Sequence, residues 1–120
     1  VNLHGYSYYM EKVGMFGCGS ANIGMFQLSE EEIFKSLETS HNNIKGSSKK
    51  LMVTHVHPSG SMVEKFTSLF PGSLGVRKAI DTFQPDLALC GHVHEAEGIE
   101  ELIGKTKLVN VGRNGKILEI

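Results

Sequence analysis

Few features of this sequence mark a secreted, membrane-spanning or nucleic-acid-coating protein. Cysteine occurs only twice in 120 residues, as Cys18 and Cys90, too few for a disulfide framework. No apolar run approaches the roughly 20 residues that cross a bilayer, and no signal-peptide pattern opens the chain. Twelve basic residues against thirteen acidic ones leave a formal charge of −1, which argues against a broad electrostatic footprint for nucleic acid or anionic lipid. The glycine-rich stretch Gly17-Cys18-Gly19-Ser20 lacks the Gly-Lys-Ser/Thr ending of a Walker loop. It also lacks the third glycine of a dinucleotide fingerprint. No internal repeat or linker divides the chain. With 40% apolar and 21% charged residues, the composition is that of one globular domain, expected to be cytoplasmic in a reducing compartment.

What is present is an alternation of strands and helices. Residues 6–10 and 13–16 are β-prone and separated by Glu11-Lys12, which predicts a hairpin entering the glycine-rich loop. Ser29-Glu30-Glu31-Glu32 is a capping box, and a helix should follow to about Leu37, with its glutamates as a solvated cap. Residues 41–50 read as a polar surface loop. The short apolar run 51–54 reads as a buried parallel strand. Pro58-Ser59-Gly60 breaks the chain, 62–70 forms an irregular or helical excursion, and Pro71-Gly72-Ser73 introduces a helix over 74–83 that Pro85 stops. Residues 86–90 repeat the buried-strand pattern, completing a strand, crossover and strand unit. Residues 107–111 and 116–120 flank Asn114-Gly115, a hairpin signal. The architecture is expected to be α/β.

Two histidine pairs, His55-Val56-His57 and His92-Val93-His94, each follow one of these apolar strands. In extended backbone, side chains at i and i+2 share a face about 6.6 Å apart, so each pair sends two imidazoles into one space. Six histidines would give only about 0.3 such pairs by chance, against the two present. Ligands of open α/β sheets sit at the carboxyl ends of parallel strands, where both pairs fall. Convergence would bring His55, His92 and His94 together, with Gly91 easing the turn and His57 a further candidate for the site. Imidazole nitrogens suit zinc, iron and nickel and, with oxygen partners, manganese. Neither Asp86, at the opposite end of its strand, nor Glu95 and Glu97 offer a carboxylate with a bridging address.

Gly91-His92-Val93-His94, with Thr54-His55-Val56-His57-Pro58 upstream, resembles the C-terminal half of the calcineurin-like metallophosphoesterases. The resemblance extends over nearly the whole chain, through Gly17 to Ser20, Ser29-Glu30-Glu31-Glu32-Ile33, Gln84-Pro85-Asp86 and the run from Lys105 to Gly112. It implies half of a four-layer α/β/β/α sandwich and a centre of two divalent ions (Mn, Fe, Ni or Zn) acting on a phosphate ester. By that resemblance His55 and His92 bind one metal and His94 the other. His57 stands where the family more commonly has proline, so the resemblance gives it no ligand role. The family's Asp-x-His, Gly-Asp and Gly-Asn-His-Asp/Glu motifs are absent and would lie before Val1.

The expectation is therefore a phosphoesterase whose histidine-rich half is this chain, inactive or nearly so alone. Its missing N-terminal half would come from a longer parent or a second chain, and uncovered sheet surface invites self-association. No membrane partner is expected. Two other readings compete: a non-catalytic phosphoesterase-like scaffold that binds protein, and a mononuclear zinc site of His55, His92 and His94 with an open fourth position. Only Arg77 and Arg113 could clamp a phosphate through guanidinium, and neither has a motif-based address.

Overall fold

The computed structural model describes residues 3–19, 27–67, 69–112 and 115–120. They form a mixed α/β fold around a six-stranded sheet. The strands are β1 (Ser7–Met10), β2 (Val13–Cys18), β3 (Lys49–Thr54), β4 (Leu87–Cys90), β5 (Glu100–Ile103) and β6 (Thr106–Asn110). Their spatial order is β1-β2-β3-β4-β6-β5. The four inner strands run parallel, and β1 and β5 close the two edges antiparallel. Three helices join the strands: α1 (Glu30–Asn42), α2 (Met62–Phe66) and α3 (Leu74–Phe83).

The capping box at Ser29 and Glu32 forms in full and starts α1. The helix then runs past the expected end at Leu37 to Asn42. Its apolar face continues through Leu37 to a buried Ser40 and His41, and packing there outweighs the weak intrinsic propensity of a polar last turn. His41 therefore belongs to the helix and not to a surface loop. The loop expected over 41–50 is shorter, because β3 already begins at Lys49.

Register places Phe16, Met52, Ala88 and Leu108 in one row across β2, β3, β4 and β6. All four are buried. Ile33 and Leu37 of α1 and Val76, Ala79 and Ile80 of α3 close over them in the main core. The two helices touch at Gly75, where an added Cβ would fall 2.4 Å from the Glu30 carbonyl oxygen. Glu30 in turn accepts from the Ser73 hydroxyl and the Gly75 amide, so the first turn of α1 helps to cap α3.

The final hairpin differs from expectation. It pairs β5 with β6 around Gly104-Lys105, Gly104 having φ +62°, a two-residue connection that suits the twist of antiparallel strands. Residues 116–120 form no strand, and Asn114 lies outside the described residues, as do Ser20 of the glycine-rich loop and Arg113. The Asn-Gly signal was strong, but Lys116 instead reaches back to the Glu100 carboxylate.

Candidate metal centre

The two parallel strands β3 and β4 are neighbours, so their carboxyl ends lie side by side. The Gly91 amide donates to the His55 carbonyl at 3.1 Å, and the His55 amide donates to Cys18 at 3.3 Å. These bonds tie the tips of β2, β3 and β4 together. Thr54 Oγ1 donates to the Val56 carbonyl at 2.9 Å, turning the chain just after the strand. Gly91 does not adopt a left-handed conformation; a Cβ there would come within 3.2 Å of the Val111 carbonyl oxygen. Its role is close approach of strands and not the tight turn expected from sequence.

On this scaffold His92 Nδ1 lies 2.8 Å from His55 Nε2, and the two rings meet edge to face at 4.7 Å and 83°. One nitrogen donates and the other accepts. The expected convergence from separate strand tips is therefore present for this pair. His92 is half-buried and its pKa is lowered, first by desolvation and then by His55, His57 and His94 nearby. A neutral ring is the form that offers a lone pair to a cation.

The other two histidines stand differently. His94 opens a short 3-10 turn over His94–Ala96 and is exposed, within electrostatic reach of His92. His57 is fully buried behind the pair. Its ring centroid lies 6.2 Å from that of His92, and its Nε2 donates to the Phe70 carbonyl at 3.1 Å. Among the described residues no group of three or more His, Cys, Asp and Glu side chains is placed to hold a metal. Direct contact is made by His55 and His92, with His57 and His94 within electrostatic reach of His92.

The donor geometry can be set against the needs of a cation. Metal–nitrogen bonds of about 2.1 Å at a tetrahedral angle separate two ligand nitrogens by about 3.4 Å. The His55–His92 pair would open by roughly half an ångström to admit one ion between its nitrogens. That spacing would suit two ligands of one ion.

Several nearby groups were not legible as site residues. Asn110, fully buried at the end of β6, donates its amide to the Val93 carbonyl at 2.7 Å, pinning the residue between His92 and His94. Its signal was a lone amide in the apolar run Leu108-Val109-Asn110-Val111. Phe70 packs edge to face on His92 at 4.7 Å and carried no signal. Cys90 is buried, its thiol pushed up to about 12 mainly by desolvation, and its Sγ lies 3.5 Å from Asn110 Oδ1. Asp86 binds the Lys50 amide at 2.8 Å at the amino end of the sheet, away from the pair. Arg77 is engaged by Asp81 and by the Ser59 carbonyl. Glu95 and Glu97 are exposed. A cleft of about 320 Å³ beside His55 is lined by Leu3, His4, Val53 and Thr54 among others, which brings His4 to the same edge.

No family model matches the chain. An uncharacterized protein of Methanocaldococcus jannaschii is 31% identical over 110 residues, an alignment covering 84% of this chain and 49% of that protein. A crystal structure resembles the fold with a TM-score of 0.72 at 21% identity, over 92% of this chain and 45% of that one. The chain spans about half the length of each. No helix among the described residues is long and apolar enough to cross a membrane.

Proposed function

We propose that the chain is the histidine-rich half of a metal-dependent phosphoesterase of the calcineurin-like type, with the fold of half a four-layer α/β/β/α sandwich. The observation that carries this reading is the 2.8 Å approach of His92 Nδ1 to His55 Nε2 at the carboxyl edge of parallel strands, where α/β sheets bind their ligands. When bound, two divalent ions, Mn, Fe, Ni or Zn, polarise a phosphoryl oxygen and lower the pKa of water for in-line attack. His55 and His92 would hold one ion and His94, on the exposed 3-10 turn that follows, the other. His57 supports the pair from behind. The bridging carboxylates come from polypeptide that covers the opposite sheet face, in a longer parent or a second chain. The match to only 49% of the uncharacterized Methanocaldococcus jannaschii protein is in keeping with a longer parent.

The test is metal binding and hydrolysis by the 120-residue chain. Co²⁺ or Mn²⁺ should bind weakly, with binding lost in His55→Ala and in His92→Ala, and a chromogenic phosphodiester should be hydrolysed scarcely above background. Metal binding indifferent to both substitutions would remove the centre. Efficient Mn²⁺-dependent hydrolysis by this chain, lost in His92→Ala, would overturn the half-site account.

A second reading, a non-catalytic module that binds protein, draws on the partly exposed apolar sheet face bearing Met15, Leu51, Val53 and Leu89. Partner binding that survives both histidine substitutions and chelator treatment would favour it.

A further inference from the structure

The histidine behind the pair has its own geometry. His57 is fully buried, and a carbonyl oxygen accepts but never donates, so the contact of its Nε2 with Phe70 at 3.1 Å places the ring proton on Nε2. Its Nδ1 is buried with no hydrogen-bond partner. The backbone that Nε2 holds belongs to the residue whose ring stands edge to face on His92, at 4.7 Å and 84°. His92 is thus set between the Phe70 ring and His55, and its Nδ1 faces His55 Nε2.

The excursion that carries Phe70 is closed at its neck. The Ser73 amide donates to the His57 carbonyl at 2.8 Å, and the Ser59 amide to the Ser73 carbonyl at 2.9 Å. Glu64 accepts from the amides of Gly60 and Gly72. At Gly72 an added Cβ would fall 2.6 Å from the Pro58 carbonyl oxygen, so only glycine lets the two sides of the neck approach this closely. His57 touches this excursion twice, through its backbone at the neck and through its ring at Phe70.

We infer that His57 is a positioning residue: by holding the Phe70 carbonyl it fixes the aromatic ring that orients His92 toward the point shared with His55. The metal that the pair would then take rests on the phosphoesterase reading, whereas the coupling from His57 to His92 does not.

The experiment uses the 120-residue chain and two readouts, the ring-nitrogen resonances of His92 in a two-bond ¹H–¹⁵N spectrum and the affinity for Co²⁺. His57→Leu removes the donor, His57→Gln restores an N–H at similar reach, and Phe70→Leu removes the ring while keeping its carbonyl. The first and third should move the His92 resonances toward those of an unrestrained histidine and weaken Co²⁺ binding about tenfold, the low end of supporting-residue effects. His57→Gln should keep both near wild type, and the double variant His57→Leu, Phe70→Leu should be no worse than either single one. A folded His57→Leu with unchanged His92 resonances overturns the inference, as does His57→Gln behaving like His57→Leu. Should His57→Leu fail to fold, unchanged His92 resonances in Phe70→Leu overturn it instead. If the wild type takes up no Co²⁺, the phosphoesterase reading fails and the resonances alone decide the positioning role.

Discussion

The two faces of the sheet differ in kind. On one, the row Phe16, Met52, Ala88 and Leu108 lies sealed beneath α1 and α3. On the other, the rows through Met15, Leu51, Leu87 and Lys107 and through Gly17, Val53, Leu89 and Val109 leave Met15, Leu51, Val53 and Leu89 partly exposed. Parallel strands ordinarily have both faces covered, and here the second face is apolar enough to want a cover that the described residues do not provide in full. Stability is therefore concentrated on the helical side. The histidine pair sits at the edge where the two faces meet, so a second layer could add ligands without disturbing the first.

Truncating matched positions on the two faces should have the largest and most unequal effects. Phe16→Ala should cost about 3–5 kcal/mol, the range for emptying a sealed aromatic site. Leu51→Ala should cost less, about 2 kcal/mol at the low end of leucine truncations, since its side chain is only partly covered. Urea midpoints measure both, and equal losses would show that the second face is covered after all. A covering partner should raise the cost of Leu51→Ala selectively. Next in size is Gly75→Ala. Its new Cβ, 2.4 Å from the Glu30 carbonyl oxygen, must push α1 and α3 apart at a cost of about 1–3 kcal/mol. A neutral result would mean the helical cover is looser than its contacts indicate.

How much of this was legible in sequence depends on whether the deciding physics was local. The capping box at Ser29 and Glu32, the buried runs of β3 and β4 and the helix of α3 were readable because each is fixed by neighbouring residues. The approach of His55 to His92 was readable because both follow strands whose crossover forces them parallel. For His94 the period-2 spacing of an extended chain is a weaker guide, because the backbone enters a 3-10 turn at that residue. The end of α1 is not encoded locally, because burial of Ser40 and His41, the latter against Phe16 of β2, extends the helix. The position of the last hairpin is not local either: Gly104-Lys105 carries a weaker turn signal than Asn114-Gly115, and pairing of β5 with β6 is settled by tertiary context. Asn110 and Phe70 act across long sequence separations that no local pattern encodes.

A smaller effect tests the helical cover at a helix end. Ser29→Ala removes the side-chain acceptor for the Glu32 amide, 3.1 Å away, and should cost about 1 kcal/mol in the urea midpoint. Helicity should fall in the first turn of α1, leaving the sheet intact. A loss of several kcal/mol would mean that the cap also holds the α1–α3 contact through Glu30.

The subtlest consequence of the sealed face is a dependence on pH. His41 stacks on Phe83 at 4.2 Å and stands edge to face on Phe16 at 5.2 Å, and both its ring nitrogens are buried without partners. Desolvation first, and then Lys50 and Lys45, lower its pKa from the ordinary 6.5. Above that value neither the folded nor the unfolded chain protonates the ring, and the stability is fully present. As the pH falls below it, the unfolded chain gains a proton that the folded chain resists. Stability is then lost progressively until the lowered folded value is reached. His41→Phe keeps a ring against Phe83 and removes the titration, so the fall in urea midpoint between pH 7.5 and 5.5 should become shallower. The buried His57 and half-buried His92, shifted in the same direction, keep it from vanishing. An unaltered fall in His41→Phe would mean that the helical face does not hold His41 out of water, and the contrast between the faces would weaken at its most polar point.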